Sequence, residues 1–313
     1  MPSIVPPGKL VYGMQLQVQS QSTLYAEKWE ADAGTAELAA LARAADDAGF
    51  FYVAVCDHVA IPRPLAQAMG TTWYDTFTTL GFLAGVTTTV RLLSHVSVLP
   101  YRHPLVTAKA VATLDALSGG RAILGVGAGH AADEFVALGL DFHRRGADLD
   151  EAIDAVKAAL TDEFPVHEGK RWTFGDVGIG PRPVQQPRPP VWVGGSAPPS
   201  LRRAAEKGDG WLPQGTPRAQ MPDQIATVRA LRAKAGIEAP IEIGVVTEML
   251  YVGDPSWDVG ERTLRGGADQ IAEQLRAFGA MGVSHLQVRF RSRDLNEACD
   301  QIARFGAEVG PLL

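Results

Sequence analysis

The sequence predicts a closed (β/α)8 barrel, a ring of parallel strands wrapped by helices. Two observations carry that prediction: short β-rich runs alternate with helical periods eight times, and 313 residues suit one large domain. An open doubly wound sheet competes for the same alternation, and eight units in a chain of this length favour closure.

The first strand is read over residues 11–18. Its helix covers 35–48, where Leu38, Leu41, Ala42 and Ala45 share one face and Gly49 stops the turn. Strand two, 51–56, runs into Asp57 and His58, and a loop carrying Trp73 and Tyr74 follows. Next come a helix over 75–88, strand three over 92–99, and a helix that Pro104 opens at its first position. Strand four lies within Gly119 to His130, where glycines at 125, 127 and 129 bare one side of the strand end for a flat or bulky group. A short helical segment over 131–138 and a helix over 146–160 come after it.

Residues 161–190 break the rhythm. The stretch 166–174 reads as a small hairpin turning near Gly169, and 181–190 is rich in proline. We expect a surface insertion within one domain spanning 10–313, with 1–9 as an exposed tail. Strand five, 191–193, feeds Gly194, Gly195 and Ser196, and Ser196 is the expected cap of a helix entered through Pro198 and Pro199. Strand six is brief, over 210–213, and the helix over 222–235 stops at Gly236. Strand seven covers 241–250, ahead of a polar loop containing Trp257. A helix over 268–280, strand eight over 283–290 and a final helix opened by Asp294 and Glu297 complete the pattern.

Composition narrows the partners. A net charge of -6 gives no cationic field for nucleic acid or an anionic membrane surface, so small molecules are the expected ligands. The two cysteines, Cys56 and Cys299, have neither zinc-site nor disulfide spacing, and residues 1–10 lack the apolar core of a signal peptide. A cytoplasmic location is the expectation.

In a closed barrel, function gathers where the strands end at their C-termini. Asp57 and His58 are the leading acid–base candidates there, although a histidine in that place also serves simply to hold a loop. His95, inside strand three, reads as a core histidine as readily as a catalytic one. The glycine run fails the dinucleotide fingerprint, because its third glycine would fall at 130, where His130 stands. His58, His95 and His130 suggest a metal set, but strand one offers Gln15, Gln17 and Gln19 where a His-x-His pair would be needed, so no metal is expected. Gly194 to Ser196 form a candidate phosphate cradle, with Arg265-Gly266-Gly267 as a second, and either also reads as an ordinary helix start. Trp73, Tyr74, Trp29 and Trp257 are candidate pocket walls, and equally candidate seals of the rim.

Several ordered motifs carry a resemblance: DHVAIP at 57–62, VLPYRHPLVTAKA at 98–110, LDALSGGRAILGVGAGH at 114–130 and DEFVALG at 133–139. RRGADLDEAIDA at 144–155, PVWVGG at 190–195 and RRAAEKGDGWLP at 202–213 extend it. On these the chain, from about residue 12 to 290, resembles the luciferase-like oxidoreductases, in the branch that uses the deazaflavin coenzyme F420. The resemblance implies a barrel with an inserted segment, a deazaflavin or flavin in the mouth, and a homodimer. It implies that His58 is the active-site acid or base, and that Ser94, His95 and Val96 form a bulge with a cis His95–Val96 peptide against the back of the cofactor ring. Gly194, Gly195 and Ser196 then match the phosphate-side loop, and Asp57, Gly127 and Gly129 join the expected cofactor contacts. His130 departs from the family, which carries a carboxylate or tryptophan there; a second proton donor, a cofactor contact and a rim residue all remain open for it. The expected activity is hydride transfer between F420 and an organic substrate, with an FMN-dependent monooxygenase or a non-catalytic flavin-binding barrel as alternatives.

Overall fold

Alternate residues of a strand face opposite ways, and this chain uses both sets. A computed structural model describes residues 3–23 and 25–313. Its barrel strands are β1 Val11–Gln15, β2 Tyr52–Val55, β3 Arg91–Ser94, β4 Ala122–Gly127, β5 Val191–Gly194, β6 Gly210–Leu212, β7 Glu242–Val246 and β8 His285–Val288. All pair in parallel, in the order β3-β2-β1-β8-β7-β6-β5-β4, and Leu92 opposite Ala122 closes β3 onto β4. Met14, Val53, Val55, Leu124, Leu286 and Val288 pack outward against helix residues such as Leu41, Leu80 and Val111. Tyr52, Ala54, Leu93, Ile123, Trp192 and Leu212 fill the lumen as a second core.

Eight helices cover the ring: α1 Thr35–Asp47, α2 Thr76–Val86, α3 Pro104–Leu117, α4 Arg145–Thr161, α5 Pro198–Lys207, α6 Met221–Lys234, α7 Ala268–Ala280 and α8 Leu295–Arg304. A short helix, Ala132–Ala137, precedes α4. The hairpin expected in the insertion pairs His167–Glu168 with Thr173–Phe174. Its turn is held by Glu151 of α4, whose carboxylate accepts the backbone N–H groups of Lys170, Arg171 and Trp172. No helix among the described residues is long and apolar enough to cross a membrane.

Three segments differ from the sequence expectation. Val5 is buried, its amide donates to Glu242 at 3.2 Å, and Ile4 packs against the lumen core, so this segment is tucked in where an exposed tail was expected. Strand seven stops at Val246, short of the expected residue 250. Leu250–Val252 forms a separate parallel pair with Leu264–Gly266, because Leu250 and Val252 bury outward and α8 satisfies the Val252 backbone through Gln301 and Arg304. Arg265 and Gly266 therefore belong to a strand rather than to a helix start. Strand three is interrupted after Ser94 by the cis His95–Val96 peptide that the resemblance implied, and resumes as Ser97–Val98.

Tyr52, Trp192 and His285 form the lower lumen. His285 stacks on Trp192 at 4.3 Å and lies edge-on to Tyr52 at 5.6 Å. Neighbouring strands make room with glycine: a Cβ at Gly13, Gly210 or Gly244 would stand within 2.4 Å of one of these rings. Burial pushes the His285 pKa down to about 3, reinforced by the charge of His95, and burial holds His95 at about 4. Both groups are therefore neutral in the fold but take up protons in the unfolded chain below about pH 6.5. Their stabilisation is complete above that pH and is lost as the pH falls toward 4 and 3. His285→Phe is expected to flatten the fall of Tm between pH 6.5 and 4, and an unchanged slope would contradict this assignment.

Candidate active site

The site is built where β2 ends. Asp57 is buried, and its carboxylate accepts two bonds from Arg102 at 2.6 and 2.8 Å, the Val98 amide at 2.8 Å and the Ser97 hydroxyl at 3.3 Å. It thereby ties the end of β2 to the turn after β3. Every one of these partners belongs to the chain itself, so Asp57 supports the residue beside it rather than standing free for a ligand.

That residue is His58. Its Nδ1 lies 2.9 Å from Glu134 Oε2, and the Glu134 side chain is fully buried. Glu134 also accepts the amides of Val59 at 2.6 Å and Ala60 at 3.1 Å and the Tyr101 hydroxyl at 2.9 Å. Burial alone would raise its pKa, but the hydrogen bonds from His58, Ala60 and Val59 outweigh it and hold the carboxyl down to about 2. An ionised carboxylate on Nδ1 fixes the proton there and leaves Nε2 as the exchanging nitrogen. The His58 ring is edge-on to Trp73 at 4.5 Å and to His130 at 5.5 Å. His130 is exposed, and partial burial, then the charge of His58, lower its pKa. Trp73 donates to the Met69 carbonyl at 3.1 Å, and the Tyr74 amide donates to Gln19, so both sit on a fixed loop.

Across the mouth, the glycine run seats the protein's own bulge. A Cβ on Gly127 would stand 2.5 Å from Val96 Cγ2, one on Gly194 would stand 2.9 Å from Val96 Cγ1, and one on Gly125 would stand 2.0 Å from the Ser94 carbonyl. Ser94 locks the bulge by donating to the Gly125 carbonyl at 2.9 Å. Gly129, at φ 80°, passes close to Phe135 and Val98. His95 is buried, and Gln214 donates to its Nε2 at 2.9 Å.

The expected Ser196 cap is not formed. Helix α5 begins after Ala197, with Pro198 and Pro199 in its first turn and no side-chain cap. Ser196 Oγ accepts instead from the Gln214 amide at 2.9 Å and from Thr216 at 2.6 Å. The Gly195 amide is used by Leu212, which leaves the amides of Ser196 and Ala197 without a hydrogen-bond partner among the described residues. Trp257 donates to Glu297 at 3.1 Å and flanks Arg291 and Arg293, so its contacts lie at the start of α8 rather than at His58. Among the described residues, no three His, Cys, Asp or Glu side chains converge as a metal set.

Glu134, Tyr101 and Arg102 are the site residues that sequence reasoning missed. Glu134 sits inside the DEFVALG motif, where its position four residues past His130, one turn along a helical segment, was the available signal. Glu134→Leu strands four donors and is expected to cost about 2–4 kcal/mol in urea unfolding. Glu134→Gln, which keeps an oxygen for the amides, should cost less than half as much; equal losses would contradict the arrangement.

The comparisons agree with the fold. The luciferase-like monooxygenase family model matches residues 12–265. An uncharacterized protein of Mycobacterium tuberculosis is 35% identical over 286 residues, covering 87% of this chain and 93% of that one. The oxygenase component of the flavin-dependent trigonelline monooxygenase of Acinetobacter baylyi is 30% identical over 192 residues, 61% of this chain and 48% of its own length. The structure of the coenzyme F420 dependent tetrahydromethanopterin reductase of Methanopyrus kandleri superposes with a TM-score of 0.76 at 20% identity, over 97% of this chain and 99% of that one. The last likeness shows the fold. By fold, by ordered motifs and by the family match, the chain belongs to the luciferase-like monooxygenase family.

Proposed function

We propose that the protein is an oxidoreductase that transfers a hydride between coenzyme F420 and a small or medium organic substrate, with His58 moving the accompanying proton. The observation that carries this reading is the His58–Glu134 pair: a buried, ionised carboxylate on Nδ1 leaves Nε2 to take a substrate proton and stabilises the resulting imidazolium. F420, when bound, supplies the acceptor or donor of the hydride.

The residues present fit such a group. Val96 offers a half-exposed apolar surface at the mouth, seated firmly on glycines beneath it. The partnerless Ser196 and Ala197 amides suit a phosphate at the start of α5. In the oxidative direction a substrate hydroxyl would give its proton to His58 Nε2 as the hydride leaves carbon; in the reductive direction the same nitrogen returns it. Trp73 would pack beside the reacting group and exclude water. His130, 5.5 Å from the His58 ring, would serve as a second polar contact for the substrate. A cytoplasmic location, taken from the cysteine usage, and a homodimer, taken from the family resemblance, belong to the same reading.

An FMN-dependent monooxygenase is the second reading, favoured by the flavin-dependent relative from Acinetobacter baylyi. Equilibrium titration of the purified protein with each cofactor separates the two. Micromolar F420 binding with much weaker FMN binding is expected, and the reverse order would replace the first reading by the second. With F420 bound, His58→Gln is expected to lower turnover by at least about 100-fold while leaving cofactor affinity within a few-fold. Unchanged turnover would remove the proton role from His58.

A further inference from the structure

The inner wall formed by β1 and β8 carries polar atoms that none of the described residues satisfies. Along β8 and just beyond it, Leu286, Val288 and Phe290 belong to the outer core, so His285, Gln287 and Arg289 form the inner set. His285 stacks on the lumen residue Trp192, and Gln287 lines the same narrow gap as His95 and His285. Arg289 continues the series one layer nearer the mouth. Gly13 pairs with Gln287, so the residues after β1 rise beside Arg289.

Three buried atoms on this wall lack a partner among the described residues: Gln17 Oε1, Gln287 Oε1 and Arg289 Nε. Gln17, Gln287 and Arg289 are 1%, 4% and 8% exposed, so all three side chains are more than nine-tenths buried. Arg289 spends only Nη2 on Glu30, at 3.2 and 3.5 Å. Glu30 has closer donors in the amides of Glu27 at 2.7 Å and Val18 at 2.8 Å. The guanidinium is therefore held in place with its Nε–H unpartnered among the described residues, on a wall where two glutamine oxygens also lack donors. The exposed Tyr25 ring lies 5.9 Å from it, on the solvent side.

We infer that Arg289, flanked by Gln17 and Gln287, is a recognition subsite for a carboxylate on the substrate. A carboxylate can accept the unpartnered Nε–H of this guanidinium together with the second Nη2–H in two parallel bonds. A hydroxyl or N–H next to that carboxylate meets the glutamine oxygens. A neutral amide of the same shape presents only one acceptor and fits less well. The inference rests on the oxidoreductase reading for the word substrate; the subsite itself is a property of the protein without cofactor.

The test uses acetate and benzoate against acetamide and benzamide, titrated into cofactor-free full-length protein and followed by calorimetry. At least one acid is expected to bind ten-fold or more tightly than its amide, and Arg289→Met to abolish that preference. Glu30→Gln removes the neighbouring charge, keeps the shape, and is expected to tighten acid binding several-fold, which keeps the test decisive if Arg289→Met does not fold. Equal binding of acids and amides, no acid binding, or an acid preference unaltered in the variants that fold overturns the subsite. F420 titration of the same protein is read separately. Acid preference without F420 binding leaves the subsite standing and removes the oxidoreductase reading, whereas F420 binding without acid preference does the opposite.

Discussion

The mouth of this barrel depends on one buried carboxylate. Glu134 accepts two backbone amides from the loop after β2, the His58 imidazole and the Tyr101 hydroxyl, which joins two βα loops to the short helix after β4. A carboxylate carried into a protein interior is costly unless it is fully bonded, and these four donors offset that cost by holding the loops in one arrangement. Asp57 repeats the device one residue before His58, with Arg102 as its counter-ion. Between them, two buried acids fix the ring that stands at the mouth.

The glycine-rich end of β4 has a corresponding job on the opposite wall. Its missing side chains admit the Ser94–Val96 bulge, and Gly194 of β5 admits the same valine from the other side. The glycines thus let Val96 lie at the height where it presents an apolar surface to the mouth. Lower in the barrel the same logic fills the lumen, with glycines on β1, β6 and β7 facing Tyr52, Trp192 and His285. Strand-by-strand matching of a large ring with an absent side chain explains why so polar a residue as His285 is tolerated there: it is stacked and kept neutral.

Much of this architecture was legible in the sequence, and the exceptions have physical causes. Period-two and helical patterns located all eight strands and their helices, because each buries one face against a shared core. Strand seven ran too long on paper because residues 247–252 continue the β-rich composition, yet only packing against α8 decides that Leu250 and Val252 turn outward. Ser196 looked like a cap because serine before a helix usually is one, but two prolines in the first turn leave few amides to cap. His58 and the bulge were found from motifs. Glu134 was not, since an Asp-Glu pair at the start of a helix reads as a solvated first turn until the fold closes over it. Arg289 was visible only as one charge near the end of an apolar strand; the inward series His285, Gln287, Arg289 gives it meaning once β8 has a lumen side.

On the proposed reading, the deazaflavin ring of F420 would rest against Val96, within reach of His58. A crystal structure of the protein with F420 bound tests it most directly. The ring is expected to lie against the Ser94–Val96 bulge, with its phosphate by Ser196 and Ala197 and its exposed face opening toward His58 Nε2. A ring bound away from the bulge, or a His58 rotated out of reach of Glu134 in the complex, would contradict it.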